Sequence, residues 1–313
     1  MNPLSGLYGA AAAARNALFD LGLFRPLRLQ RPVVSIGNLS VGGAGKTPFV
    51  IALGMLLQRR GIAFDVLSRG YGRTTRGVRV VDPDGKAAEF GDEPLLIARK
   101  LGAPVIVGER RFDAGRVAEE KFASQLHLLD DGFQHRRLAR DVDIVLMTEA
   151  DFSDRLLPVG RLREPLASLQ RASMIVLPHG LEARAPLPAR VVFRTTRELV
   201  LDNVPTSPVV FCGLARPEQF FAQVRGAGIA PAAEVAFGDH HAYSERDIER
   251  LLGMQKAGGP RGFLTTEKDA VNLGTLSARL APLSVGVLRV SIDRPEELVD
   301  TILTRVAERG PGS

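Results

Sequence analysis

The chain has 313 residues, 45% of them hydrophobic, which is enough to bury one large core or two smaller ones and excludes an intrinsically disordered chain. Its 41 basic and 35 acidic residues leave a net charge of +6, and only six of the basic residues are lysines. Arginine, whose planar guanidinium suits phosphate and anionic lipid, therefore supplies most of the positive charge, while a single cysteine, Cys212, excludes an intramolecular disulfide and any multi-cysteine zinc site.

Residues 1–31 place Leu4, Leu7, Tyr8, Ala11, Leu18 and Leu21 at helical spacing, interrupted by Arg15 and Asp20. The run is too broken to cross a bilayer. Its basic residues Arg25, Arg28 and Arg31 follow the apolar stretch, whereas a secretory signal places them before it. Four arginines against one aspartate give this segment +3, half of the chain's excess in about a tenth of its length. An N-terminal amphipathic helix at a membrane interface, followed by a basic segment, accounts for the pattern; a helix packed on its own domain is the alternative.

From Arg31 onward, short apolar runs at 33–36, 64–67, 105–107, 126–129, 144–147 and 174–177 alternate with helix-like segments. Continuous rather than alternating apolar runs predict a mostly parallel sheet covered on both faces. Residues 48–60, with Pro48 in the first turn and Gly61 as the stop, predict a helix, and so do residues 112–122. The fold class is α/β, of doubly wound P-loop NTPase type. Proline-rich stretches at 185–188 and 205–208 bracket a connection, after which 209–211, 217–225 and 262–264 restart the strand–helix pattern. The expected division is an N-terminal segment 1–31, a P-loop domain 32–200 and a smaller C-terminal α/β domain 201–313.

Residues 35–48 read Ser-Ile-Gly-Asn-Leu-Ser-Val-Gly-Gly-Ala-Gly-Lys-Thr-Pro, a strand running through a glycine-rich turn into a helix. That is a P-loop in its proper context. Gly42, Gly43, Ala44 and Gly45 offer backbone N–H groups to the β- and γ-phosphates of a nucleotide, Lys46 reaches their oxygens, and the Thr47 hydroxyl ligates Mg²⁺. Two departures stand out: the first glycine of the standard pattern is Ser40, and Val41 occupies the place where dimeric partitioning ATPases carry a signature lysine. The second disfavours a dimer built on that lysine, and a monomer is expected.

The run at 126–129 ends in Asp130-Asp131-Gly132, a Walker B candidate in which either aspartate can hold Mg²⁺, directly or through water. Asp92, in Gly-Asp-Glu-Pro ahead of a helix, is an N-cap or, alternatively, the base that accepts a proton from an attacking hydroxyl. His240 and His241 stand together far from the P-loop, where a surface turn competes with an active-site role. Arginines gather at 69, 73 and 76, at 110 and 111, at 136 and 137, and at 161 and 163. With no tryptophan and no aromatics interleaved among the basic residues, no nucleic-acid partner is expected.

Taken together, these strings resemble the tetraacyldisaccharide 4′-kinase family, the lipid A 4′-kinases of Gram-negative bacteria. The P-loop, Ser-Arg-Gly-Tyr-Gly at 68–72, Gly-Asp-Glu-Pro at 91–94, Asp-His-His-Ala-Tyr at 239–243 and Thr-Thr-Glu-Lys-Asp-Ala-Val at 265–271 all carry the resemblance, and Ser40 is at home in it. The resemblance implies transfer of the ATP γ-phosphate, with Mg²⁺, to the 4′-hydroxyl of a tetraacylated glucosamine disaccharide 1-phosphate. The implied location is the cytoplasmic face of the inner membrane, held peripherally. It further implies Asp92 as base, His240 pairing with Asp92 on closure of the second domain, and Asp239 supporting that imidazole. Arg163 would stabilise transferred charge, and Tyr71 would contact nucleotide or substrate. The competing reading is a soluble P-loop ATPase or GTPase acting as a switch or chaperone.

Overall fold

A computed structural model of the chain describes residues 3–182, 187, 191–259 and 261–308. The proline-rich stretch expected at 185–188 falls outside them apart from Leu187, as do the side chains of Leu4 and Leu7. Helix α1 (Pro3–Asp20) is followed by an extended basic segment that feeds β1 (Val33–Asn38), and a glycine-rich loop then leads into α2 (Lys46–Arg59). In order there follow β2 (Phe64–Ser68), the short β3 (Arg79–Val80), α3 (Ala87–Phe90), α4 (Asp92–Leu101), β4 (Val105–Val107), α5 (Arg111–Lys121), β5 (Leu126–Asp130), β6 (Val142–Leu146) and β7 (Met174–Pro178). The remainder comprises β8 (Val191–Val200), β9 (Val209–Cys212), α6 (Pro217–Gly226), β10 (Ala233–Ala236), α7 (Glu245–Gly258), β11 (Phe263–Thr266), α8 (Glu267–Leu273), β12 (Leu283–Ile292) and α9 (Pro295–Ala307).

All twelve strands form one sheet in the order β10-β9-β11-β12-β8-β7-β6-β1-β5-β2-β4-β3. Pairing is parallel throughout except at β3–β4 and β8–β12. Strands β1, β2, β4 and β5 are buried at every residue, which is why their sequences are unbroken apolar runs rather than alternations. The chain passes from β5 to β6 across β1, so the sheet reverses its winding beside β1. Doubly wound sheets bind ligands at the carboxyl ends of strands at such a reversal.

Two strands of ten residues carry the sheet from one core to the other. β12 pairs in parallel with β11 through residues 283–286 and then antiparallel with β8 through 287–292. The expected cut at residue 201 does not separate the cores: Leu298, Val299 and Ile302 of α9 are fully buried in the same cluster as Ile36, Phe49 and Leu53. Fully burying an aliphatic side chain stabilises by roughly 1.5–3 kcal/mol, so three of them hold α9 to the first core. A separate cluster around Phe211, Ile248 and Phe263 forms the core of the 209–286 region.

Among the described residues, no helix is long and apolar enough to cross a membrane.

Candidate active site

The loop after β1 is fixed at both ends. Asn38, the last residue of β1, donates its amide to the Ser40 carbonyl at 2.7 Å, and its Oδ1 accepts from Lys46 Nζ at 3.0 Å. At the rim, Val41 exchanges hydrogen bonds with Arg161: its N–H donates to the Arg161 carbonyl and its own carbonyl accepts from the guanidinium, both at 2.8 Å. Gly45 precedes α2 at φ 76°, a left-handed conformation that costs an L side chain free energy, and a Cβ there would lie 2.6 Å from Arg197 Cζ. With α2 starting at Lys46, the unpaired N–H groups and dipole of its first turn face the loop.

The turn after β5 supplies the carboxylates. Asp130 is buried; its Oδ2 accepts from the Ser68 hydroxyl at 3.0 Å, while its Oδ1 takes no hydrogen bond among the described residues. Burial, then the charges of Glu93 and Asp131, push its carboxyl up to about 7. Asp131 has a left-handed backbone at φ 52°, an uncommon state for a non-glycine residue, which marks a constrained turn. Its carboxylate lies 3.3 Å from Lys46 Nζ and 3.0 Å from Arg163 Nη1. Burial opposes its ionisation, but these two cations outweigh burial and hold it below the usual carboxylate range. A buried carboxylate with a free oxygen, followed in the chain by a second carboxylate, fits Mg²⁺, which takes one or two protein carboxylates and leaves its other positions to water and phosphate, and the Thr47 hydroxyl of the loop is a donor of the same hard-oxygen kind. No cluster of three or more His, Cys, Asp or Glu able to cage a metal occurs among the described residues.

Asp92 opens α4 and is buried. Its carboxylate accepts from His240 Nδ1 at 2.9 Å and Asn272 Nδ2 at 3.0 Å, and from the backbone N–H of Glu93 at 2.8 Å. Burial works against its charge, yet the hydrogen bond from His240 and the charge of Lys268 more than offset this, keeping the group below its usual value of 3.8. His240 has φ 56°, a second strained non-glycine backbone. Burial lowers its basicity, but the bond to Asp92 raises it further, so the imidazolium persists above the ordinary 6.5. Each group thus favours the charged form of the other. The Tyr71 ring, 61% exposed, stands 4.9 Å from the imidazole.

The pair lies between two cavities. One, of about 310 Å³, is lined by residues 42–48 together with Glu93, Arg197, His240 and Lys268. The other, of about 680 Å³, includes Tyr71, Asp92, His240 and Asn272 in its wall.

The fold thus gathers the residues singled out from the sequence into two contact sets. Lys46, Asp131 and Arg163 touch directly beside the glycine-rich loop, and Asp92 meets His240 and, through it, Tyr71. Pairing of His240 with Asp92, expected on closure, is already made. Asp239 lies 3.8 Å from His240 Nε2 and closer to Lys268, at 2.9 Å. Among the grouped arginines, Arg73 and Arg136 are taken up by Glu109 and Asp20.

Sequence reasoning missed Asn38, Asn272, Lys268 and Arg197. Asn38 and Lys268 stood inside quoted strings without a role. Arg197, whose guanidinium donates to the Ala44 carbonyl, comes from β8 and had no motif to announce it.

The model of the family described as Tetraacyldisaccharide-1-P 4′-kinase matches residues 1–307. A tetraacyldisaccharide 4′-kinase of Koribacter versatilis is 47% identical, with all of both chains covered. One from Geobacter metallireducens is 38% identical, covering 96% of this chain and 95% of its own. Among solved structures, LpxK from Aquifex aeolicus in complex with ATP superimposes with a TM-score of 0.81 at 34% identity, over 97% of this chain and 98% of that one.

Proposed function

Because the chain belongs to the tetraacyldisaccharide 4′-kinase family, we propose that the loop and the Asp92–His240 pair are the parts with which it phosphorylates the 4′-hydroxyl of a tetraacylated glucosamine disaccharide 1-phosphate from ATP. The observation that carries this reading is that His240, the partner of Asp92, lines both the cavity of the glycine-rich loop and Lys46 and the neighbouring cavity that Asp92 lines. Phosphoryl transfer asks mainly for positioning and charge neutralisation, and these groups supply both.

In this reading the loop is a P-loop: the N–H groups of residues 42–45 and Lys46 receive the β- and γ-phosphates. Thr47, Asp130 and Asp131 would hold Mg²⁺, which when bound neutralises charge on those phosphates. Asp92, kept unprotonated at neutral pH, accepts the proton of the attacking hydroxyl while His240 fixes its orientation. Arg163, seated on Asp131, adds positive charge beside the transferred group, and Tyr71 offers an aromatic edge near nucleotide or sugar. The 209–286 region carries His240, Lys268 and Asn272 onto Asp92, so it acts as the part that completes and covers the site.

Helix α1 is read as an amphipathic membrane-interface helix. One side is tied to the site: Tyr8 donates to the Arg163 carbonyl, Arg15 to the Gln134 carbonyl and Asn16 to Glu164. Beyond its end, Leu21, Leu23, Phe24 and Leu27 are 74%, 67%, 48% and 43% exposed, interspersed with Arg25 and Arg28. That combination suits the inner-membrane face, with basic residues toward anionic headgroups. Deleting α1 would disturb the site through Tyr8 and Asn16, so point changes are the cleaner probe. Leu21→Asp with Leu23→Asp should weaken partitioning onto anionic vesicles by at least about tenfold while ATP affinity stays within about twofold; unchanged partitioning would return this patch to an ordinary surface.

The function itself is tested by incubating the purified protein with γ-labelled ATP and the detergent-dispersed disaccharide lipid. Label is expected on the lipid, at the 4′ position. Label released only as free phosphate would favour an ATPase switch.

A further inference from the structure

The string Thr-Thr-Glu-Lys-Asp-Ala-Val enters the scheme above only as part of the region that covers the site, yet the fold builds it against Asp92. It forms the end of β11 and the start of α8, where the Thr266 hydroxyl caps the helix by accepting from the Asp269 N–H at 3.2 Å. Asp269, fully buried, also accepts from the Gly213 N–H and the Tyr243 hydroxyl, each at 2.8 Å. Helix α8 is thereby locked to the loop that ends at Tyr243 and carries His240. Glu267 forms an ion pair with Lys100 of α4, fastening the same helix to the one that Asp92 opens.

On α8, Lys268 and Asn272 are four residues apart and so share a face. Asn272 donates to Asp92 Oδ2 at 3.0 Å, and Lys268 Nζ lies 3.9 Å from the same oxygen. Lys268 also donates to Asp239 Oδ1 at 2.9 Å, and Asp239 Oδ2 stands 3.8 Å from His240 Nε2. Asp92, His240, Asp239 and Lys268 thus form a closed circuit in which negative and positive charges alternate.

The structure assigns Lys268 a positioning role in the transfer: with Asp239 it closes this ring around the Asp92–His240 pair, holding the Asp92 carboxylate ionised and aimed. The inference rests on the kinase reading of the site. A different role is open to a lysine that lines the cavity of the glycine-rich loop, namely direct binding of nucleotide phosphate. The two roles separate cleanly. A phosphate ligand acts on ATP binding, whereas a member of the ring acts on turnover and on the titration of His240. The charged groups facing that imidazole are Asp92 of α4, with Glu93 beside it, Asp239 of its own loop and Lys268 of α8; Lys268 alone among them opposes its proton.

The test uses the full chain with Lys268→Met, Lys268→Arg and Asp239→Asn, reading kcat, KM for ATP and the His240 titration by imidazole NMR, its signal identified by its loss in His240→Gln. For Lys268→Met, kcat should fall about 10- to 100-fold, KM for ATP should stay within about twofold, and the His240 midpoint should move up, because the opposing cation is gone while both carboxylates remain. Lys268→Arg should recover most of the turnover and the native midpoint. Asp239→Asn cuts the ring at its other joint and should move the midpoint down, which keeps the inference testable should Lys268→Met not fold. An unchanged midpoint in both variants, or a loss confined to KM for ATP, overturns it. Failure of the kinase reading shows up separately, as native protein that puts no label on lipid.

Discussion

Asp92→Asn should lower kcat by about 10²- to 10⁴-fold while leaving KM for ATP nearly unchanged, since the phosphate-facing groups are on the other contact set. The carboxylate is surrounded by donors: His240 Nδ1, Asn272 Nδ2 and the Glu93 N–H all point at it. An amide of the same shape must turn its own NH₂ toward one of them, so it loses both the base and one satisfied hydrogen bond. Leaving a buried donor unpaired costs roughly 1–3 kcal/mol, which the fold should survive and circular dichroism should confirm.

The same substitution has a pH signature in stability. Asp92 titrates below 3.8 in the folded chain, so its contribution is present above that value and is lost as pH falls through the depressed one. His240 is raised above 6.5, so its contribution is fully present below 6.5 and is lost as pH rises through the raised one. The pair therefore stabilises most between 3.8 and 6.5, and denaturant titrations should find the asparagine variant weakest relative to native in that window. Turnover close to native would remove Asp92 as the base.

How far the sequence could be read depended on whether the determinant was local. Unbroken apolar runs located β1, β2, β4, β5 and β7 to within two residues at each end, because a strand buried on both faces needs no information from its partner to look apolar. Helix α4 was legible from Gly-Asp-Glu-Pro, and α2 from Pro48 and Gly61. The bridge strands were not. Arg194, Arg197 and Glu198 in β8 and Arg289 in β12 break the apolar run, because these strands are only half buried where they pass between the cores. Their pairing, with Val200 opposite Val287, joins residues far apart in the chain, and α9 returns to the first core only because β12 leads it there. The same contrast holds in the site. Lys46 and Asp131 announce themselves through glycine-rich and paired-carboxylate strings, whereas Asn272 reaches Asp92 across 180 positions of sequence.

Lys46→Met should produce the other large loss, and one of a different kind. The Lys46 ammonium is held between Asn38 Oδ1 and Asp131, a geometry that aims it over the mouth of the loop. Methionine keeps an unbranched stem and good helix propensity in the first turn of α2, so the fold should persist. What disappears is the loop's own ammonium, set to meet the β- and γ-phosphates, and Asp131 is left with Arg163 as its sole direct cation among the described residues. ATP affinity measured by calorimetry should fall at least about tenfold, and kcat about 10²- to 10³-fold, since charge on the transferred group grows in the transition state. Arginine should not rescue it: a broad planar fork does not fit the place of a compact ammonium between an amide and a carboxylate. Near-native affinity and turnover in Lys46→Met would remove the loop from phosphate binding. Combined with Asp92→Asn, the loss should be smaller than the product of the two single losses, because proton acceptance and phosphate neutralisation serve one transition state and cannot each be removed twice. Strictly multiplicative losses would mean that the two contact sets act in separate steps.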